Sequence, residues 1–229
     1  MNVVPTDHVP ARKTIIMSDR LADAYGHKSW HAHNPPIDEL VATILSQHTS
    51  DLNTERAFRS LRERFSSWDA VASAPVNDVA TAIRCGGLAN IKAKRIQSAL
   101  REAETFFSDA DLSELRELTV SEARARLCQL TGVGPKTASC VLLFGLGIPA
   151  NPVDTHIHRV SSRVGIIPPK TTANSSHEII EAALGTDLDT VYAFHVNSIM
   201  HGRLVCKSRT PRCSDCVLLD ICNYGKIVA

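Results

Sequence analysis

At 229 residues and 44% hydrophobic, the chain is long enough to bury a core without disulfide staples. Its seven cysteines are an odd number, and Met1 to Met17 holds His, Pro and charges where a secretory leader needs an apolar run. Reduced thiols in a soluble, cytoplasmic protein are therefore expected, and no stretch approaches the roughly 20 apolar residues of a membrane span.

The formal net charge of +1 conceals an uneven distribution. From Ala123 to His177 the only carboxylate is Asp154, among Arg124, Arg126, Lys136, Arg159, Arg163 and Lys170. Val79 to Arg101 and Thr190 to Ser214 contain no Asp or Glu, yet hold Arg84, Lys92, Lys94, Arg95, Arg101, Arg203, Lys207, Arg209 and Arg212. Such polarisation suits a polyanion, although a chance run of solvated basic faces gives the same pattern.

Along the chain the periodicity is helical. A loose stretch to about Lys13 precedes it. Asp51 opens a helix carrying Phe58, Leu61 and Phe65, and Ile96, Leu100, Ala103 and Phe107 repeat at three and four residues. Thr119 with Glu122 forms a capping box before a helix ending near Leu130. Turns fall at Gly86-Gly87, Gly132 to Pro135, Asn151-Pro152 and Pro168-Pro169. No segment alternates as a strand does, so the chain reads as all-α, with about ten helices.

Leu130 to Ala138 joins two helices through glycines two apart, Gly132 and Gly134, followed by Pro135 at a first helical position. Backbone N–H groups then point out of a helix N-terminus, where phosphate oxygens accept them, with Thr137 alongside. Lys136, just behind this clamp, is either one more phosphate-neutralising cation or a nucleophile with a lowered pKa. The lone carboxylate Asp154 favours the nucleophile, and it also stands where an N-cap belongs. The chain closes on Cys206, Cys213, Cys216 and Cys222, a spacing that points to a metal centre and suits zinc as well as an iron–sulfur cluster. Cys85, Cys128 and Cys140 are expected in or near the core.

With these pieces assembled, the chain resembles the helix-hairpin-helix DNA glycosylases, and among them the endonuclease III family. The resemblance runs from about Ile37 to Cys222. Its most specific elements are the hairpin, the segment Val153 to Arg159, and His201-Gly202-Arg203 leading to Cys206 and the other three cysteines. It implies a six-helix barrel with the hairpin at 37–147. A cluster domain built from 14–36 and 148–229 would lie on the other side of a DNA-binding cleft. It also implies a [4Fe–4S] cluster on the four cysteines, Lys136 as catalytic lysine and Asp154 as catalytic aspartate.

By the same resemblance Leu88 matches the family's wedge residue. The void-filling glutamine aligns with His48, leaving Gln47 one place early, so either could fill the gap left by a flipped base. Lys207 and Arg209 would face DNA from the cluster loop. His156 belongs to the family motif and His158 does not; beside Asp154 both are expected either to support the site or to lie on the helix surface, not to act directly.

The implied activity is that of a monomeric, nucleoid-associated glycosylase/AP lyase acting on double-stranded DNA with oxidised pyrimidines or abasic sites. A monofunctional mismatch or adenine glycosylase, or a non-catalytic iron–sulfur protein that binds damaged DNA, is the alternative. Lys136 argues against the first, and Lys136 together with Asp154 against the second, since a pure binder needs neither.

Overall fold

The structure, a computed structural model, describes residues 9–108 and 111–228. Among these residues it is entirely helical, with twelve α-helices, several 3-10 turns and one π-helical turn. No helix among them is long and apolar enough to cross a membrane.

Two compact units divide the chain, one formed by Met1–His31 with Pro149–Ala229 and the other by Ala32–Ile148. The second unit is called the hairpin unit here and the first the cysteine unit.

The hairpin unit is built around α2 (Pro36–Ser46), whose Ile37, Leu40, Val41, Ile44 and Leu45 are all buried. Full burial of each such side chain contributes about 1.5–3 kcal/mol. Pro35 and Pro36 start this helix without losing a bond, because the first N–H groups of a helix have no internal acceptor. Helices α3 (Asp51–Arg64), α6 (Ala89–Phe106) and α8 (Pro135–Cys140) all pack on α2. Between them lie α4 (Trp68–Ser73), α5 (Val76–Ala82) and α7 (Val120–Leu127).

The stripe Ile96, Leu100, Ala103 and Phe107 is buried, as its period requires. The capping box at Thr119 forms with both reciprocal bonds, and α7 stops at Leu127, three residues before the expected end. Ser50, not Asp51, caps α3, accepting from Asn53 N.

In the cysteine unit α1 (Val9–Tyr25) packs on α10 (His177–Leu184) and α11 (Leu188–Leu204), and α9 (Thr155–Val164) packs on α11. A last short helix, α12, is Gly225–Val228. The crossing of α9 and α11 is close enough to require Gly202, where a Cβ would stand 2.9 Å from the Cβ of His156.

Two expectations are corrected. Helix α1 begins at Val9, so Val9 to Lys13 are helical and not loose. Pro10 sits in the first turn, where its missing N–H costs nothing, and the rest of the expected loose stretch lies outside the described residues. Cys85 is exposed, while Cys140 is buried and Cys128 half-buried. Gly86 takes the inward place in the 3-10 turn Arg84–Gly86, where a Cβ would stand 3.1 Å from that of Ala57, and Cys85 is left on the outside.

Candidate nucleic-acid interface and catalytic residues

The hairpin between α7 and α8 turns at Gly132, which adopts φ +80°. A side chain there would be strained, and its Cβ would also meet the Arg95 side chain at 2.9 Å. Gly134 caps α8 in extended conformation and offers no side chain to the first N–H groups of that helix. A Cβ on Gly134 would meet nothing within 4 Å, so this edge of the turn is open. Leaving the first N–H groups uncapped beside open space is an arrangement that suits a phosphate.

Lys136 is the second residue of α8 and is half-buried. Its charge acts on a carboxyl that the sequence motifs do not single out. Glu39, on α2, is buried and accepts from Asn34 Nδ2 at 2.9 Å and Thr43 Oγ1 at 3.2 Å. Burial raises the pKa of this carboxyl. The two hydrogen bonds and the Lys136 ammonium oppose the rise. One signal was available, since Glu39 and Thr43 stand four residues apart and so share one side of a mostly apolar helix.

In the cysteine unit Asp154 is the N-cap of α9. Its Oδ1 accepts from His156 N at 2.9 Å and Ile157 N at 2.8 Å, so a single carboxylate oxygen makes both capping bonds. The strand of chain leading to it is held from three sides. Glu181 accepts from Asn151 N at 2.8 Å, His195 Nδ1 lies 3.0 Å from Pro152 O, and His177 Nε2 accepts from Val153 N at 3.2 Å. Because His177 Nε2 accepts, its other nitrogen carries the proton and donates to Asn174 O at 3.2 Å. His156 Nδ1 lies 3.1 Å from Arg159 Nη2, and His158 Nε2 lies 2.8 Å from Thr171 O. Neither imidazole is turned toward Asp154's carboxylate by these bonds.

Cys206, Cys213, Cys216 and Cys222 line one recess, together with Arg163, Pro211, Leu219 and Tyr224. Polar groups surround three of the four sulfurs. Arg163 Nη1 donates to Cys206 Sγ at 3.3 Å and Gly225 N to Cys222 Sγ at 3.2 Å, while His201 Nε2 lies 3.5 Å from Cys216 Sγ. Burial lowers the pKa of His201 to about 4, so this imidazole is neutral at pH 7. Arg163 also donates to Lys207 O and Ser208 O, both at 2.8 Å, and stacks on Tyr224. That anchors the backbone beneath the exposed Lys207 and Arg209. Among the described residues no three His, Cys, Asp or Glu side chains sit close enough to hold a single metal ion.

Residues 41–184 match the HhH-GPD superfamily of base excision DNA repair proteins. A protein of Arabidopsis thaliana, whose assignment as a DNA glycosylase is provisional, is 36% identical over 79% of this chain and 58% of its own length. Endonuclease III of Sulfolobus acidocaldarius is 36% identical over 81% of this chain and 80% of its own. The chain belongs to the endonuclease III family. The solved structure of a trapped endonuclease III–DNA covalent intermediate has 26% identity and a TM-score of 0.77, covering 95% of this chain and 98% of that one.

For this endonuclease III family member, the structure places the remaining candidates as follows. Gln47, the C-cap of α2, turns inward: its Nε2 donates to Gly132 O at 3.2 Å and lies 3.4 Å from Thr137 Oγ1, and its Oε1 accepts from Arg95 at 3.0 Å. Thr137 is buried beneath the hairpin. His48 is exposed and left-handed at φ 54°. Leu88 is the N-cap of α6, left-handed at φ 50° and 52% exposed.

The basic stretches are less uniform than the sequence suggests. Lys92 is 1% exposed, its ammonium donating to Leu45 O and Gly86 O. Arg124 is buried and donates to Ser139 Oγ, tying α7 to α8. These two cations satisfy internal acceptors and are not part of a DNA-facing surface. Lys92 was legible in principle, because it lies in register with Ile96 and Leu100 on the buried stripe of α6.

Proposed function

We propose that this protein is a bifunctional DNA glycosylase/AP lyase that removes oxidised or ring-saturated pyrimidines from double-stranded DNA. The observation that carries the reading is Lys136, half-buried at the start of the hairpin helix, where a phosphate-binding turn would bring the sugar-phosphate backbone to its amine. The trapped covalent endonuclease III–DNA intermediate of the structural relative supports it.

Extruding a damaged base costs a few kcal/mol, less where it pairs or stacks badly. The neutral Lys136 amine attacks C1′ of the extruded nucleotide, and the glycosidic electron pair leaves with the base, which takes up a proton. Asp154 uses one oxygen for its helix cap, leaving the other to stabilise positive charge on the sugar. The attacking nitrogen gives up a proton, and its lone pair then opens the sugar ring, the C1′–O4′ bond breaking as O4′ takes up a proton, to leave a protonated Schiff base. Loss of a proton from C2′ expels the 3′ phosphate by β-elimination, which nicks the strand. A glycosylase that used water in place of the lysine would stop at the abasic site.

The four cysteines fit an iron–sulfur group by their chemistry, since thiolates are its ligands and the N–H groups of Arg163 and Gly225 are placed to balance their charge. Bound there, a [4Fe–4S] cluster would cross-link the loop from Cys206 to Cys222 and keep Lys207 and Arg209 presented to DNA. None of the sugar chemistry passes through it.

Borohydride trapping on a duplex with one thymine glycol tests the reading. The intact protein should form a covalent adduct and Lys136→Ala should not. Base release without an adduct from the intact protein would make the enzyme monofunctional, and tight binding without release would make it a damage-binding protein.

A further inference from the structure

We propose that Lys92 is a positioning residue whose buried ammonium locks together the two loops bearing His48 and Leu88, so that both reach the duplex as one rigid element. The proposal rests on the reading of the protein as a lesion-extruding glycosylase.

Lys92 Nζ donates to Leu45 O at 2.6 Å and to Gly86 O at 2.8 Å. Leu45 lies three residues before His48 and Gly86 two before Leu88, so one cation joins the roots of both loops. Lys92 itself stands one turn into α6, where its N–H bonds to Leu88 O at 2.9 Å. Each loop ends in an exposed non-glycine residue held in the left-handed region, His48 at φ 54° and Leu88 at φ 50°. Such conformations persist only where the surroundings over-determine them, and they gather at working surfaces. The ammonium provides that constraint from below.

An apolar residue would fill the same space at less cost, because burying a cation is unfavourable unless it is fully paired. What an apolar residue would lack is the bridge. Two carbonyl oxygens from separate segments of chain need a donor between them, and an ammonium supplies three. Leu45 also belongs to the last turn of α2, the partly negative end of that helix, which suits a cation. Arg124, also buried, donates to Ser139 Oγ and so ties α7 to α8.

The test uses a thymine glycol duplex with 2-aminopurine placed opposite the lesion, whose fluorescence rises when it is unstacked. Lys92→Met keeps the side-chain volume and removes the donor. Single-turnover excision should fall on the order of 10- to 100-fold, as expected when reacting groups are misplaced by about an ångström. The fluorescence rise should be lost with it. The deficit should shrink on the same lesion opposite an abasic analogue, where no partner base has to be displaced.

Combining Lys92→Met with Leu88→Ala should cost no more than the worse single change, because both remove the same action. Multiplying losses, an equal deficit on both duplexes, or unchanged excision would overturn the proposal. If Lys92→Met does not fold, Lys92→Gln, which keeps one donor group, replaces it. Failure of both to fold would make Lys92 a residue of stability alone. If the intact protein unstacks 2-aminopurine but excises nothing, the functional reading fails, while the fluorescence comparison still decides the role of Lys92.

Discussion

The side-chain amide of Gln47 donates to the carbonyl of Gly132 at 3.2 Å, joining the end of the central helix α2 to the tip of the hairpin. With Arg95 on its carbonyl oxygen, Gln47 is committed to holding the turn, whereas its neighbour His48 faces outward. Gln47→Ala should therefore destabilise the protein by about 1–2 kcal/mol and weaken DNA binding by loosening the hairpin. His48→Ala should leave stability within about 0.5 kcal/mol and change the preference for the base opposite the lesion. Chemical denaturation, with excision from duplexes carrying each of the four opposite bases, checks both. The reverse pattern would make Gln47 the gap-filling residue.

Asp154 joins a structural bond to a proposed catalytic charge, and two substitutions separate them. Asparagine keeps an oxygen for the N–H groups of His156 and Ile157, so Asp154→Asn should melt close to the parent while base removal slows on the order of 100-fold. Asp154→Ala loses the cap as well and should be about 1 kcal/mol less stable. Single-turnover base release beside a thermal melt distinguishes the outcomes. An unchanged rate in Asp154→Asn would reduce the residue to a cap.

Burial lifts the pKa of Glu39 above the usual 4.5, and the Lys136 ammonium pulls against that lift. The folded protein therefore holds the Glu39 proton more tightly than the unfolded chain does. This contribution to stability is present below the usual value and is lost as pH rises through the raised one. Glu39→Gln should remove that loss, so unfolding free energy measured against pH should fall less steeply above 4.5 than in the parent. It also removes a negative charge near Lys136, which should move the rise of strand nicking with pH toward lower pH. A nicking profile that stays in place would show that Glu39 has no influence on the amine.

If the recess in the cysteine unit holds an iron–sulfur cluster, the purified protein should be yellow-brown and contain iron and acid-labile sulfide in equal amounts. Cys213→Ser should lose the colour and much of the DNA affinity, since Lys207 and Arg209 are carried on the same loop. A colourless protein that contains zinc would overturn the assignment.

The sequence by itself determined the helical class, the capping box at Thr119, the glycine hairpin and the spacing of the four cysteines. Each of these is written in neighbouring residues: a 3.6-residue period, a cap three residues from its partner, a glycine where φ turns positive. What the tertiary structure decided was the use to which similar residues are put. Lys92 and Lys207 look alike in sequence, yet one is buried beneath two loops and the other is exposed. Glutamine and histidine are adjacent at positions 47 and 48, yet only the first reaches the hairpin. The charge of Lys136 acts on the Glu39 carboxyl although the two are far apart in the chain. These assignments depend on which carbonyls and charges distant segments bring together, and local periodicity carries no information about that.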